Sequence, residues 1–373
     1  MAIDPPQTTR PSKTAGGGLT PKPSGPNKLF AQPDQKFGDF RDDIIRDGYA
    51  VIKGAVPRDR ADAYAEAMWA YLETFKNKGK GLGFKRDDPS TYTEKHLPVI
   101  NEKGMCSGYG VNHEDFTWGI RQEPGVVEAF AKVFDTDDLI VSFDAVNMAL
   151  PGRKDLPANK PWPHQDQDPA KPEFRCLQGI VNLLPNGAQD GGLIVCRGAH
   201  RLSEQFHREF SAFEKDPVFR WTQEWYGFTE AGLQWLKEHG GHAQCEWVKV
   251  ECEPGDLLVW DSRTPHYNLS PTGDHARFAT YTCYMPAADA SQADLERKKG
   301  AFEQTLGTTH WPNAVHVRDH NQPLKRQDGS TCPYSGENAP RKPVSLAERG
   351  VQIDGHSVYW CGDDIVVAGE KLL

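Results

Sequence analysis

The 373-residue sequence lacks long apolar runs, an excess of basic residues and closely spaced cysteines. No apolar run approaches the roughly 18–20 residues that a membrane-spanning helix needs, so we expect no membrane span. The formal net charge is −9 without a basic cluster, which argues against a surface for nucleic acid or anionic lipid. None of the eight cysteines forms a CxxC pair, which is typical of reduced thiols in an intracellular protein.

The N-terminal composition sets the expected domain organisation. Residues 1–35 are rich in Pro, Gly, Ser and Thr and predict a flexible tail, since they cannot bury enough apolar surface to offset ordering. They contain no apolar signal segment, so we expect a cytoplasmic protein. One domain is predicted over 36–307, with a helical insertion at about 201–240 that we interpret as a lid. Residues 308–373 are predicted to be an extension packed on the same domain.

Periodicity predicts flanking helices and many short strands. A helix is expected over 57–76, with Pro57 at its first helical position, and a second helix over 124–134. Few helices interrupt the β-rich segments that follow, which favours a mainly β fold of the sandwich or jelly-roll type with flanking helices. These segments lie at 139–150, 175–184, 192–196, 245–252, 256–260 and 276–285.

The segment PWPHQDQDPA at 161–170 contains a candidate metal motif. His164 and Asp166 are two residues apart, so at the end of a strand they project to the same side. The predicted third ligand is His266, which follows the apolar strand and polar crossing of EPGDLLVWDSRTPH. Two histidines and one carboxylate leave three octahedral positions open, the pattern of non-haem Fe(II) oxygenases. The other histidines weighed as a third ligand lie in turn-like or helical contexts: His200, His207, His239, His242 and His275.

Arg277 begins the predicted strand ARFATYTCYM, eleven residues after His266. It is either an ion-paired edge residue or a fork for a dicarboxylate, because a guanidinium binds a carboxylate through two parallel hydrogen bonds. A zinc hydrolase needs only one open position on its metal and would have no use for this arginine.

Three further polar residues are candidates for a catalytic or substrate role. Gln165, between two predicted ligands, either lines the pocket or points into solvent. Asn147, within the apolar AVNMAL, is either a satisfied core asparagine or a substrate contact. Arg263 either contacts substrate or pairs with Asp261.

Four motifs together resemble the phytanoyl-CoA dioxygenase-like branch of the Fe(II)/2-oxoglutarate-dependent oxygenases. They are HQD at 164–166, NGAQDGGLIVCRGAHR at 186–201, PGDLLVWDSRTPHYN at 254–268 and HARFATYTCYM at 275–285. The second motif has Ala199 where the family usually has a small hydroxyl residue. The resemblance spans about residues 40–290 and implies a double-stranded β-helix core with helices packed outside it.

The resemblance also implies roles and cofactors. His164, Asp166 and His266 would bind Fe(II). Arg277 would bind the distal carboxylate of 2-oxoglutarate, and Asn268, two residues after the distal histidine, would assist. With O2 as the further co-substrate, the expected reaction is hydroxylation of a small organic molecule, or its desaturation or cyclisation. Because Asp166 is present, halogenation is disfavoured, and no basic cluster suits the phosphates of CoA.

Two alternatives remain open at the level of sequence. A cupin-like metalloenzyme, an isomerase or hydrolase, would keep the metal ligands but would not use 2-oxoglutarate, so Arg277 would be dispensable. A non-catalytic binding module on the same scaffold would have lost a metal ligand, and none is lost. The substrate and the oligomeric state do not follow from the sequence.

Overall fold

The protein is described from a computed structural model. It covers residues 29, 35–76, 83–213, 224–241, 245–314, 316–318 and 323–343, together with the backbone of three short strands between 359 and 371. The predicted tail over 1–35 lies outside the described residues except for Leu29, which is buried, and residue 35. The predicted extension over 308–373 is described only in part.

The helices of the described residues lie mostly before the first long strands and after residue 200. They are α1 (Phe40–Asp47), α2 (Arg58–Glu73), α3 (Asp115–Arg121), α4 (Pro124–Phe134), α5 (Ser203–Glu209), α6 (Glu230–His239) and α7 (Gln292–Glu303). None of them is long and apolar enough to cross a membrane.

The strands are short. They are β1 (Tyr49–Ile52), β2 (Met105–Cys106), β3 (Leu139–Val141), β4 (Val146–Ala149), β5 (His164–Gln165), β6 (Leu177–Asn182), β7 (Gly192–Arg197), β8 (Tyr226–Gly227), β9 (Glu246–Lys249), β10 (Leu257–Asp261), β11 (His266–Leu269), β12 (Arg277–Tyr281), β13 (Tyr284–Pro286), β14 (Tyr359–Cys361), β15 (Asp364–Val367) and β16 (Glu370–Lys371).

Two antiparallel sheets form the body of the protein. The major sheet has the order β1-β10-β6-β12-β4-β2, and the minor sheet has the order β8-β5-β11-β7-β9. Apolar side chains from both sheets meet in one buried cluster between them: Ile180, Leu258, Trp260 and Ala279 from the major sheet, with Leu193 and Val195 from the minor sheet. This arrangement confirms the predicted jelly-roll core with flanking helices.

The major sheet has an inner face toward the minor sheet and an outer face toward the helices. Successive side chains of a strand alternate between faces, so Phe278 points outward while Arg277 and Ala279 point inward. Phe278 packs against Trp69 of α2, with ring centroids 4.4 Å apart. The inner face of β12 therefore presents Arg277 to the interior between the sheets.

Helix α4 occupies the predicted residues, whereas α2 begins one residue later than predicted. Pro57 has ψ 142°, an extended conformation, and is the N-cap residue rather than the first helical residue. The ring of proline fixes φ but leaves ψ free, so the extended cap is compatible with its backbone.

Two predicted strands are each split. The segment 139–150 gives β3 and β4, and the segment 276–285 gives β12 and β13; β3 and β13 pair only with each other. At the break, Asn112 Nδ2 donates to the carbonyl oxygens of Phe143 and Asp144, at 2.9 Å each. The Phe143 carbonyl also accepts from the Thr308 backbone N–H at 2.8 Å, so groups outside the major sheet satisfy the backbone where the chain leaves it.

The segment 201–240 contains a strand in addition to its helices. Between α5 and α6, β8 adds an edge to the minor sheet by pairing with β5, with Tyr226 opposite Gln165 and Gly227 opposite His164. The segment is therefore hydrogen-bonded to the strand that contains the HQD motif.

Gly179 of β6 allows α4 to approach the sheet closely. A Cβ atom at this position would lie 2.5 Å from the Thr282 carbonyl oxygen and 2.9 Å from Phe130 Cζ of α4. We predict that Gly179→Ala lowers the free energy of unfolding by about 1–3 kcal/mol, because the added methyl group overpacks the interface. Urea unfolding followed by circular dichroism measures this change.

Gly300→Ala in α7 is the matched control. Its nearest neighbour would be the side chain of Gln304 at 3.8 Å, and alanine is a better helix former than glycine by up to about 1 kcal/mol. The control is expected to be neutral or stabilising. Equal effects of the two substitutions would show that the interface with α4 does not depend on Gly179.

Candidate metal centre

The His and Asp residues of the candidate metal site come from two adjacent strands of the minor sheet. His164 on β5 lies directly opposite His266 on β11 in the antiparallel register. Asp166 follows β5, and its backbone N–H donates to the Ser262 carbonyl oxygen at 3.1 Å. The pairing thus brings together two residues separated by about a hundred positions in the sequence.

The three side chains are spaced to share one ion. The Oδ2 atom of Asp166 lies 3.6 Å from His164 Nε2 and 3.4 Å from His266 Nε2. Neighbouring ligands about 2.1 Å from an octahedral ion would lie roughly 3 Å apart. The potential ligand atoms lie within 4.8 Å of one another, and no other such cluster is found in the described parts of the chain. The structure therefore places all three predicted ligands together.

Both imidazoles direct the same nitrogen toward the site. Nδ1 of His164 lies 3.0 Å from the Trp162 carbonyl oxygen, and Nδ1 of His266 lies 3.0 Å from the Thr264 carbonyl oxygen. A carbonyl oxygen only accepts, so Nδ1 donates and Nε2 keeps its lone pair. This hydrogen bond to the ring nitrogen opposite the ion is the usual way in which proteins orient a metal-binding histidine.

The charge states also suit a divalent cation. Burial alone would raise the pKa of Asp166, but the imidazoles of His164 and His310 and its hydrogen bonds hold that pKa well below its usual range. Burial lowers the pKa of His164. Gln178 Nε2 donates to Asp166 Oδ2 at 2.8 Å and fixes the carboxylate. The site thus combines an ionised carboxylate with an imidazole whose pKa burial lowers, and a carboxylate and a neutral imidazole are the forms in which these groups bind metals.

Arg277 is a buried cation with unsatisfied donors. Its side chain enters the interior from β12, the residue is 2% exposed, and its Nε and Nη1 atoms have no hydrogen-bond partner among the described residues. Gly192 on β7 makes room for it, since a Cβ there would lie 3.0 Å from Arg277 Nε. A buried guanidinium without an acceptor is costly, and a carboxylate would satisfy it. The residues present thus fit a dicarboxylate as well as a metal.

Two predicted asparagines lie between these groups. Asn268 on β11 and Asn147 on β4 both donate through Nδ2 to the carbonyl oxygen of Lys103, at 2.9 Å each. Asn147 Nδ2 also lies 3.3 Å from the Tyr281 hydroxyl, while Asn147 Oδ1 is buried without a partner in the described residues. The amide nitrogen of Asn147 is thus satisfied, as in a core asparagine, while its carbonyl oxygen is free. A contact between this oxygen and a substrate stays a prediction.

Gln165 and Arg263 point away from the three ligands. Gln165 is 1% exposed, which excludes a solvent-facing role, and it is bonded to the Gln167 carbonyl and to Ser203 of α5. Strand alternation puts its side chain on the face opposite His164. Arg263 forms a two-pronged ion pair with Asp261, with nitrogen–oxygen distances of 2.6 and 3.0 Å. Arg263 thus has the ion pair that its alternative named and Gln165 has protein partners, so a substrate role for either residue stays a prediction.

Of the other histidines weighed as a third ligand, those that the structure describes have partners elsewhere. His200 bonds to the Ile45 carbonyl, His207 to Ser211, and His275 pairs with Asp190. His239 stacks on Trp235. His242 lies outside the described residues.

Several residues near the metal ligands were not predicted from the sequence. Nothing in the sequence around Gln178 indicates a role at the site, because β6 approaches Asp166 only where the major sheet packs on the minor sheet. Trp162 and Trp225 stack near His164, with ring centroids 4.0 and 5.8 Å from it. The position of Trp162 could have been used as a signal. It stands two residues before a ligand, and in an extended chain residues two apart project to the same side.

Comparison with known proteins supports what the geometry indicates. The family model described as Phytanoyl-CoA dioxygenase (PhyH) matches residues 44–279. The chain belongs to this family. A relative from Aspergillus versicolor, "Ava biosynthesis cluster protein O", is 40% identical over 282 residues, which cover 75% of this chain and 88% of the relative.

Solved structures similar to the fold include two partial matches. The epimerase SnoN, crystallised with Fe3+, alpha ketoglutarate and nogalamycin RO, is 19% identical with a TM-score of 0.44, covering 66% of this chain and 82% of SnoN. A hypothetical protein from Escherichia coli is 17% identical with a TM-score of 0.49, covering 82% and 78%. Because both TM-scores are below 0.5, the assignment to the family depends on the sequence matches and on the fold itself.

Family membership and the His-Asp-His site make the protein a non-haem iron oxygenase that uses 2-oxoglutarate and O2, in the broad sense of an oxidoreductase. The predicted family and cofactors are thereby confirmed.

The unpaired guanidinium of Arg277 generates a prediction about stability. Replacing a buried, unsatisfied charge with an apolar side chain of similar length removes a desolvation cost, so Arg277→Met should raise the free energy of unfolding without ligand by about 1–4 kcal/mol. The same variant should lose the stabilisation that added 2-oxoglutarate gives the wild type. Thermal unfolding with and without 2-oxoglutarate measures both effects.

Arg121→Met is the control for this substitution. Arg121 is also fully buried, but its Nη1 and Nη2 atoms donate to the carbonyl oxygens of Asn112 and Asp144 at 2.7 and 3.2 Å. Its loss should therefore destabilise the protein. A destabilised Arg277→Met protein would contradict an unsatisfied guanidinium in the free state.

Proposed function

We propose that the protein is an Fe(II)/2-oxoglutarate-dependent dioxygenase that oxidises a small organic molecule, with His164, Asp166 and His266 as its iron ligands. Hydroxylation is the default reaction, and desaturation or cyclisation of the same substrate position are its variants. The observation that carries the proposal is the buried, unpaired guanidinium of Arg277, which faces the same interior as the three ligands. An isomerase or hydrolase without a keto-acid co-substrate has no need of that cation.

The three ligands leave half of an octahedral coordination sphere open. The side of the ion from which they approach determines which half is open. Two ligands come from adjacent strands and the third from the residue just after β5, so all three approach from the minor sheet. Bound Fe(II), 2-oxoglutarate and O2 together supply the oxidation of a C–H bond, with succinate and CO2 as co-products. Gln178 keeps the Asp166 carboxylate turned toward the ion.

Arg277 is proposed to bind the distal carboxylate of 2-oxoglutarate. In the register of the minor sheet, Val195 lies opposite His266 and Gly192 lies three residues further along β7, which is a distance of about 10 Å. The Arg277 side chain lies beside Gly192. Its guanidinium is therefore displaced from the metal ligands along the interior between the two sheets. Asn268 is proposed to line this path and Asn147 to offer its free carbonyl oxygen there.

A small-molecule substrate from a biosynthetic pathway is supported by the 40% identical relative, whose name refers to a biosynthesis cluster. The CoA in the family name does not extend to this chain, whose sequence has no basic cluster for the phosphates.

We further propose that the segment 201–240 and the extension after 308 shape the substrate site of one oxygenase domain. Trp225 of the segment stacks near His164. His310 of the extension lies close enough to Asp166 to lower the pKa of that carboxyl, and its Nε2 atom is buried without a partner among the described residues. Both positions suit contacts with a substrate placed over the open half of the metal.

Succinate release tests the proposal. Purified protein with Fe(II), 2-oxoglutarate and air is expected to form succinate, and a metabolite screen is expected to find compounds that accelerate it and change in mass by one oxygen or by two hydrogens. Asp166→Ala should abolish the activity. Arg277→Ala should raise the 2-oxoglutarate concentration for half-maximal rate by roughly 10- to 100-fold, since charge-assisted hydrogen bonds of about 1.5–3 kcal/mol are lost.

Arg197→Ala is the matched arginine control. Arg197 pairs with the exposed Glu246 at the edge of the minor sheet, where a surface ion pair contributes little, and its loss should leave the 2-oxoglutarate dependence unchanged. Substrate conversion that persists without 2-oxoglutarate would instead support the isomerase or hydrolase alternative.

A further inference from the structure

A cation and an indole are stacked on one metal ligand. Lys103 Nζ lies 3.4 Å from the ring centroid of Trp162. Trp162 in turn lies parallel to the His164 imidazole, with ring centroids 4.0 Å apart and planes 9° apart. We call Lys103, Trp162 and His164 the stacked column. It joins the turn before β2, the approach to β5 and the predicted metal ligand itself.

Trp162 constrains the His164 ring in two ways. Its carbonyl oxygen accepts the Nδ1 hydrogen bond at 3.0 Å, which sets the rotation of the imidazole about its own axis. Its indole packs on the imidazole face, which sets the tilt of the ring. His266 has the corresponding carbonyl bond, to Thr264, but its nearest indole, Trp260, is tilted by 58° at 5.2 Å. The double constraint therefore belongs to His164.

Lys103 is placed over Trp162 by its own backbone. Its carbonyl oxygen accepts hydrogen bonds from both Asn147 and Asn268, so the residue is fixed between the two sheets. Its ammonium is half-buried, and burial lowers its pKa. Glu102 counteracts part of this effect from a distance, but within the described residues Nζ has no ion pair or hydrogen bond, so the indole face is its direct stabilising contact. A cation over a Trp face is worth about 0.5–2 kcal/mol, and most when desolvated.

We propose that Trp162 and Lys103 are positioning residues for the metal ligand His164. Trp162 holds the imidazole with its Nε2 directed at the ion, and Lys103 holds the indole in the stacked orientation. This inference rests on the proposed function, because it takes His164 as a ligand. Neither residue touches the ion; each acts through the next member of the column.

Metal affinity tests the inference independently of turnover. The probe is Co(II), titrated into the metal-free protein and followed by calorimetry and by its visible spectrum, which reports the ligand geometry. Trp162→Leu should weaken Co(II) binding by roughly 10- to 100-fold and alter the spectrum, the usual range when a residue that orients a ligand is lost. Trp162→Phe, which keeps a stacking ring, should retain most of the affinity.

Lys103 is tested through its dependence on Trp162. Lys103→Met should weaken Co(II) binding by about 3- to 10-fold, and Lys103→Arg, which keeps a cation over the indole, should restore it. In the Trp162→Leu background, Lys103→Met should have no further effect, because the residue through which it acts is gone. Additive losses in the double variant would overturn the column as the route of action.

Two substitutions away from the column serve as controls. Trp247→Leu removes an indole that packs on Tyr267, with ring centroids 5.1 Å apart, and Lys160→Met removes an exposed lysine on the approach to β5. Both should leave Co(II) binding unchanged. Circular dichroism checks that every variant is folded, and if Trp162→Leu is not, Trp162→Phe and the Lys103 variants decide the question.

The failures of the two proposals are distinguishable. If His164→Ala abolishes Co(II) binding but Trp162→Leu changes neither affinity nor spectrum, the positioning role is wrong and the proposed function stands. If Lys103→Met leaves Co(II) affinity unchanged and raises only the requirement for 2-oxoglutarate, Lys103 contacts an anion instead. If the wild type binds no Co(II) that depends on His164, the proposed function itself fails.

Discussion

The site depends on the antiparallel pairing of a two-residue strand, β5, with β11. That single register sets His164 opposite His266, and the next turn of backbone, held by Ser262, delivers Asp166. A shift of one residue would turn one imidazole to the opposite face of the sheet. The fold around the pair, two sheets with helices packed on the outer face of the larger one, is what holds so short a strand in one register.

The buried charges of Asp166 and Arg277 suit a bound metal ion and a bound carboxylate. Asp166 is balanced by imidazoles and by Gln178, whereas Arg277 is enclosed with free N–H groups beside Gly192. Folding tolerates an unsatisfied cation at a cost in stability, and binding energy from an anion can recover that cost. The two ends of the interior therefore suit ligands of opposite charge. The end with Asp166 is arranged for a cation, and the end with Arg277 has free donors that suit a carboxylate.

Much of this could be predicted from the sequence, and the limits have physical reasons. The spacing of His164 and Asp166 and the strand contexts of His266 and Arg277 identified groups that the fold does bring to one interior. The splitting of segment 139–150 could not be predicted, because the hydrogen-bond partners at the break, Asn112 and Thr308, come from other parts of the chain. The alternatives for Gln165 and Arg263 could not be decided for a related reason: strand alternation and the local partner Asp261, rather than nearness in sequence to a ligand, decide where those side chains point. Gln178 gave no signal, since its contact with Asp166 exists only once the major sheet, which contains β6, packs on the minor sheet.

The two histidines are supported unequally, and this explains why one of them carries the stacked column. His266 lies on β11 between β5 and β7, both in the sheet interior, so its backbone is fixed by the core. His164 lies on β5, whose other neighbour is β8 from the segment 201–240. Because β8 is an edge strand of only two residues, it holds β5 weakly, and His164 needs a support that does not come from it. Trp162 and Lys103 supply such a support. Trp162 belongs to the approach to β5 and Lys103 to the turn before β2, and Lys103 is tied to β4 and β11 through Asn147 and Asn268. The column thus links the β5 side of the minor sheet to β4 and β11, and it does so at the ligand where the backbone alone gives the weaker hold.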